Sequence, residues 1–370
     1  MSLAPVAAAR PYAARRRRGK SVTAPRSWGK VPSLMRIGVH LTPFWSPTDR
    51  PPTAIIDEAI EVVRAAAGLG FAWVSVGHHW ISHPTVWPAP IPLLARLAPE
   101  TGAMRLKTSM LLLPLLNPVD VAENVATLDH IAHGRLDLGV AIGYREKELL
   151  AAGLTRKDRV PKLEESLALM KRLWRGDEVT FEGAYTRVEG GRLGILPSQR
   201  PHPPLEMGAQ SVGATRRAAR LVDAVFFGPQ VAWRDVAHLV GVYREARAAE
   251  GPGTPGTAYA SRSLIVGPSR EAAVAAARGY LERTFAMYRG WQMQEPTMVP
   301  LQLGFEQSLD DWTIHGTPAQ CVETIARARA LGLDGIGFTI YSLPRGAAAR
   351  IDYLRRIAEE IVKPASALAP

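Results

Sequence analysis

Three imidazoles fall within six residues, at His78, His79 and His83, with the Trp80 ring beside them. They stand directly after a β-branched run that begins at Phe71 (FAWVSVG). Imidazoles in that position can move protons near neutral pH or bind a metal ion. A metal would need a further carboxylate or imidazole from another part of the chain, and adjacent histidines differ from the His-x-His spacing of barrel metallohydrolases. Acid/base work by His78 and His79 is the favoured reading, with plain polar packing the alternative. A second constellation is Gly208-Ala209-Gln210-Ser211-Val212-Gly213, which runs into the helical pattern ATRRAARL. Small residues let the backbone close on an anion, and the N–H groups of a helix start attract phosphate. Ser211 adds a hydroxyl, and Arg216 or Arg217 could add charge; an ordinary capped loop explains the same residues equally well.

Two further run ends could accept a flat ring. Gly139, Gly143 and Tyr144 close one apolar run, where glycine permits close approach and the tyrosine can pack alongside. Ser109 and Met110 open a soft apolar wall that continues to Pro114, suited to an aromatic heterocycle, although core packing accounts for it almost as well. Trp45, Trp80, Tyr288 and Trp291 are candidates to line a substrate pocket. Phosphate at one run end, a flat slot at two others and a proton-carrying imidazole at a fourth together point to a phosphorylated ring cofactor.

The elements that must position these groups alternate short apolar runs with longer amphipathic stretches, the pattern of a parallel sheet covered by helices. Strands are expected at Arg36 to Leu41, from Phe71, and at Leu106 to Leu112, Leu136 to Ala141, Leu205 to Gly208, Ala224 to Phe227, Ala258 to Val266 and Gly335 to Tyr341. Eight such units predict a closed (β/α)8 TIM barrel with loop insertions, whose site lies at the carboxyl ends of the strands. Asn117-Pro118 and Thr317-Pro318 signal helix starts, with a capping side chain followed by proline at the first helical position. Val179 to Leu196 reads as an inserted hairpin.

Composition bounds the rest. The chain has 370 residues, 47% hydrophobic and 21% charged, an ordinary globular balance. Its net charge of +11 is uneven: the first 34 residues carry eight Lys and Arg and no acid, which leaves 37 basic against 34 acidic residues in the remainder. Residues 1–34 are expected to be a disordered basic tail, and 35–370 a single barrel domain, with Met35 opening the first strand and standing as a candidate start of translation. The near-neutral body argues against an extended nucleic-acid footprint. One cysteine, Cys321, forms no internal disulfide and fits a cytoplasmic setting. No apolar run approaches the length of a membrane span.

The segment from Pro118 to Gly143, PVDVAENVATLDHIAHGRLDLGVAIG, resembles the luciferase-like flavin monooxygenases, the family of bacterial luciferase and the alkanesulfonate monooxygenases. The resemblance continues in family order through ESLALMKRLW (Glu165 to Trp174), Gly183, Tyr185, Pro203-Pro204, the Gly208 to Gly213 turn, ARLVD (Ala219 to Asp223) and HGTP (His315 to Pro318). It implies that reduced FMN, or alternatively coenzyme F420, binds at the strand ends. The phosphate would lie near Ser211, Val212 and Gly213, and the ring between Ser109, Met110, Gly143 and Tyr144. It also implies a two-component monooxygenase served by a separate flavin reductase, with an F420-dependent dehydrogenase as the alternative within the family; a metal-dependent barrel hydrolase using His78, His79 and His83 is a remote alternative from another enzyme class. A homo-oligomer is expected by analogy. His78 and His79 match the histidines of the family's Glu-His-His motif, but Gly77 replaces its glutamate, and Ile142 stands where luciferase has an arginine near the phosphate.

Overall fold

The computed structural model describes residues 34–41, 50–251, 256–291, 305–340, 344 and 346–368. The basic tail up to residue 33 and Trp45 lie outside the described residues. The strands, in chain order, are β1 (Arg36–Leu41), β2 (Trp73–Val76), β3 (Arg105–Leu112), β4 (Leu136–Ala141), β5 (Val179–Glu182), β6 (Arg187–Gly191), β7 (Leu205–Gly208), β8 (Ala224–Phe227), β9 (Thr257–Val266), β10 (Thr313–Gly316) and β11 (Gly335–Ile340). β9, β11, β1, β2, β3, β4, β7 and β8 are hydrogen-bonded in that order, and β8 returns to β9, so eight parallel strands close into a barrel. The runs are short and buried on both faces, as β2 shows with four buried residues in succession. Such strands are stable only when helices cover one face and the barrel interior fills the other.

β5 and β6 form the expected antiparallel hairpin. β10 was not anticipated. Its four residues TIHG carry no alternation, and they pair in parallel with Ser263 to Val266 of β9, beyond Ala260 where β8 ends. The helix-start signals act as expected: Asn117 Oδ1 accepts from the Val119 and Asp120 N–H groups, and Thr317 forms a reciprocal capping box with Gln320.

Charged and aromatic side chains fill the barrel near the amino ends of its strands. Lys107 Nζ sits 3.4 Å from Glu206 Oε2, 3.7 Å from Asp137 Oδ2 and 3.8 Å above the Tyr259 ring. Burial pushes the lysine pKa down and the glutamate pKa up. With that end plugged, the cavity must open at the opposite, carboxyl end. Asp129 and Gly134, from the most family-like segment, are scaffold. Asp129 accepts from Ser198 Oγ at 2.7 Å and from the Gln199 backbone and side-chain amides, and Gly134 takes φ 73°.

Gly139 also has a structural reason. A Cβ there would lie 2.2 Å from the Thr108 carbonyl oxygen and 2.8 Å from Met110 Sδ, so the missing side chain makes room for the adjoining strand rather than for a bound ring. Because the obstacle is backbone, Gly139→Ala is expected to lower stability by about 1–3 kcal/mol in a urea titration. Gly213→Ala, whose Cβ would meet nothing within 4 Å, should change it by less than about 0.5 kcal/mol; equal effects would contradict the assignment.

Candidate active site

Loops leaving β2, β3, β4, β7 and β8 converge on a cavity of about 360 Å³ at the carboxyl mouth of the barrel. Of the residues singled out from sequence, His78, His79, Ser109, Met110, Gly143, Tyr144, Gly208, Ala209, Gln210, Ser211, Gly213 and Tyr288 lie on its wall. Val212, whose side chain packs against the helix–barrel core, is not part of the wall, although both of its chain neighbours are. Trp80 packs with Leu112, Leu115, Leu149 and Leu154, and Trp291 stands behind His79 with ring centroids 4.8 Å apart, so neither forms part of the wall.

His78 is buried, and its Nδ1 accepts the Leu112 backbone N–H at 3.1 Å. That bond puts the remaining ring proton on Nε2. Burial, helped by the neighbouring His79, lowers the His78 pKa to about 4, so at neutral pH the ring is an uncharged donor. His40, also on the wall, is lowered to about 4 by burial.

His79 is held differently. Its Nδ1 lies 2.8 Å from Glu148 Oε1, and its Nε2 lies 3.4 Å from the Tyr144 hydroxyl. The same Glu148 oxygen accepts from the Trp80 N–H at 2.8 Å and from Arg145 Nη1 at 3.1 Å. Burial opposes ionisation of Glu148, but the His79 hydrogen bond, the His79 and Arg145 charges and the Trp80 amide together hold its pKa below the usual carboxylate range. Arg145 ties the loop down through the Trp80 and Ile81 carbonyls and lies 4.1 Å over the Trp291 ring.

This network resolves the departure at Gly77. A Cβ at that position would fall 2.6 Å from the Trp87 ring, so no glutamate fits, and Glu148 supplies the carboxylate from the short helix Glu146–Ala151 instead. Arg145, Glu148 and Trp87 were missed from sequence because their partners lie more than sixty residues away or, for Trp87, because a loop aromatic carries no periodicity.

The anion corner is built at the start of the helix Val212–Leu221. Ser211 caps it, its Oγ accepting the Ala214 N–H at 3.3 Å. The Val212 and Gly213 N–H groups have no hydrogen-bond partner among the described residues, leaving two donors at the positive end of the helix dipole. Arg217 and Arg159 line the same cavity, whereas Arg216 is exposed and turned away. Arg159 Nη1 donates to the Gly143 carbonyl at 2.9 Å, so a guanidinium stands beside the loop in which Ile142 lacks one. His83 is exposed while His78 is buried, and among the described residues no three His, Cys, Asp or Glu side chains converge as a metal site. No described helix is long and apolar enough to cross a membrane.

The structure is thus a closed (β/α)8 barrel with a helix-start corner, two arginines and buried imidazoles at its carboxyl mouth. Residues 35–335 match the family model of the luciferase-like monooxygenases, and the chain belongs to that family. It is 30% identical over 158 residues (42% of this chain, 44% of the relative) to the oxygenase component of a flavin-dependent trigonelline monooxygenase from Acinetobacter baylyi. It is 33% identical over 172 residues (45% and 50%) to an F420-dependent glucose-6-phosphate dehydrogenase from Nakamurella multipartita. These matches span about half the length of either relative. In fold, it superposes with a TM-score of 0.76 and 20% identity on the oxygenating constituent of 3,6-diketocamphane monooxygenase from Pseudomonas putida, in complex with FMN, covering 91% of this chain and 99% of the other. An F420-dependent secondary alcohol dehydrogenase gives a TM-score of 0.72 at 17% identity, with 89% and 99% covered.

The depressed pKa values of His78 and His40 carry a pH signature. Below the ordinary value of 6.5 the unfolded chain takes up protons that the folded chain refuses until about pH 4. Their contribution to stability is therefore complete above pH 6.5 and lost as pH falls toward 4. Urea midpoints should drop across that window, and His78→Gln should make the drop shallower; an unchanged slope in the variant would contradict the buried neutral ring.

Proposed function

We propose that the chain is the oxygenase component of a two-component, flavin-dependent monooxygenase that uses reduced FMN and O2 to oxygenate a small organic substrate. The observation that carries this reading is the pair of unpartnered Val212 and Gly213 N–H groups beside Arg159 and Arg217, at one end of a cavity whose remaining wall is largely apolar. Two backbone donors and two guanidiniums fit a phosphate dianion. Met110, Leu112 and Ala141 present the apolar surface that an isoalloxazine would cover. When bound, the reduced flavin supplies the electrons that activate oxygen.

The protein's own tasks follow from its side chains. Trp87, Tyr288 and Trp312 bring apolar rings to the cavity wall and limit the entry of water. His78 offers an Nε2–H to an oxygen that gains charge, a neutral donor because burial lowers its pKa to about 4. His79 is positioned by Glu148 on Nδ1 and lies within hydrogen-bond distance of the Tyr144 hydroxyl through Nε2. Burial holds the Tyr144 pKa well above its ordinary value, so that hydroxyl stays protonated. The chain shows no fingerprint of a nicotinamide dinucleotide site, so the electrons are taken to come from a separate flavin reductase.

The second reading, an F420-dependent dehydrogenase, is favoured by the Nakamurella relative and by the alcohol dehydrogenase neighbour. Mixing the purified chain with reduced FMN and with reduced F420, with and without air, separates the two. Air-dependent consumption of reduced FMN is the expected result, and anaerobic, substrate-dependent turnover of F420 alone would replace the first reading with the second. His78→Ala is expected to bind FMN as the parent does and to form product about 100-fold more slowly; unchanged turnover would remove His78 from the chemistry.

A further inference from the structure

A second cavity, of about 400 Å³, lies away from the barrel mouth, between β10 and the helices Trp233–Ala249, Arg270–Gly290 and Pro318–Ala330. It shares no lining residue with the first. Three arginines from three different helices face it: Arg234, Arg270 and Arg327. Arg270 Nη2 is paired with Asp310 Oδ1 at 2.6 Å. Among the described residues Arg234 has as ion-pair partner only its chain neighbour Asp235, at 3.9 Å, and Arg327 donates to the Thr324 hydroxyl at 3.0 Å. Two of the three guanidiniums thus retain most of their donor capacity for something in the cavity.

His315, from the HGTP segment, supplies the second observation. Its side chain is only 3% exposed, it lines this cavity, and its Nε2 has no hydrogen-bond partner among the described residues. The tautomer can be read from its neighbours. The Thr313 hydroxyl donates its single proton to the Leu309 carbonyl at 2.7 Å, so it must accept from His315 Nδ1, also at 2.7 Å. In the neutral ring the proton is therefore on Nδ1, and Nε2 carries a lone pair. Asp310 Oδ1, 3.5 Å from Nε2, is a second acceptor. A buried acceptor left unmatched is costly, and one beside a carboxylate calls for a ligand that brings its own proton.

We propose that this cavity is a binding site for a protonated phosphate, either the free monohydrogen ion or a phosphomonoester in its monoanionic form. Its anionic oxygens would accept from Arg234, Arg270 and Arg327, and its P–OH would donate to His315 Nε2 or to Asp310. Sulfate and carboxylates carry the charge but, at neutral pH, no proton to give. The site goes beyond the proposed oxygenase activity and does not depend on it. One contact joins the two walls: Trp233, in this one, has its ring 3.9 Å from the guanidinium of Arg262, which lines the first cavity and donates to the Gly228 and Val231 carbonyls of the loop after β8.

Calorimetric titration tests this in a Ser211→Asp background, which closes the helix-start corner to anions. Inorganic phosphate is expected to bind with one equivalent per chain, at least 10-fold more tightly than sulfate. That binding should fall at least 10-fold in Arg234→Glu/Arg327→Glu, whose side chains are exposed, and in His315→Ala. Binding of glycerol 3-phosphate as well would assign a phosphomonoester, and binding of inorganic phosphate alone would assign the free ion. Phosphate binding that survives the double charge reversal, or sulfate binding equal to phosphate, overturns the proposal. FMN affinity measured on the double variant with Ser211 intact should not change, which separates this site from the one at the barrel mouth.

Discussion

The site depends on the closure of β8 onto β9. β9 pairs with β11 along Tyr259 to Leu264 and with β8 along Thr257 to Ala260. Only because that last ladder forms do loops distant in sequence leave the sheet around one mouth. The histidines after β2, the Ser109-Met110 pair in β3, Gly143 after β4 and the helix start after β7 would otherwise lie along an open edge. The charged plug of Lys107, Asp137 and Glu206 near the opposite end is the counterpart of that arrangement. It fills that end of the interior with charged groups within ion-pair distance of one another, so the cavity opens at the carboxyl end.

At the mouth, two kinds of hydrogen bonding divide the work. Backbone sets the state of His78: the Leu112 N–H occupies Nδ1 and fixes a neutral donor. Side chains set His79, which is clamped by Glu148 and placed against Tyr144, Trp87 and Trp291. Adjacent residues of the same type therefore have different roles, one an uncharged donor facing the cavity and the other a ring coupled to a buried carboxylate. The anion corner follows the same economy, since Ser211 satisfies the Ala214 amide and leaves those of Val212 and Gly213 for a ligand.

Much of the barrel was legible in the sequence because parallel strands announce themselves as short runs rich in apolar and β-branched residues, and Asn117-Pro118 and Thr317-Pro318 mark helix starts by local chemistry alone. β10 was not legible, because TIHG has neither alternation nor an apolar run and is a strand only through β9. The candidate site was legible where one loop carries the signal, as at His78-His79 and Gly208 to Gly213. It was illegible where a role depends on residues brought from elsewhere: Glu148 as partner of His79, Arg159 beside Gly143, Trp87 filling the space above Gly77. Gly139 shows the opposite error, in which a glycine suited to a ligand belongs to strand packing.

The central claim is that the helix start at Val212–Gly213, with Arg159 and Arg217, holds a phosphate and so lays a ring across the mouth. Comparing the dissociation constants of FMN and riboflavin tests it most directly, because the two share the ring and differ in the phosphate. Charge-assisted bonds from two amides and two guanidiniums predict FMN binding roughly 100-fold or more tighter. Equal affinity for the two would contradict the account.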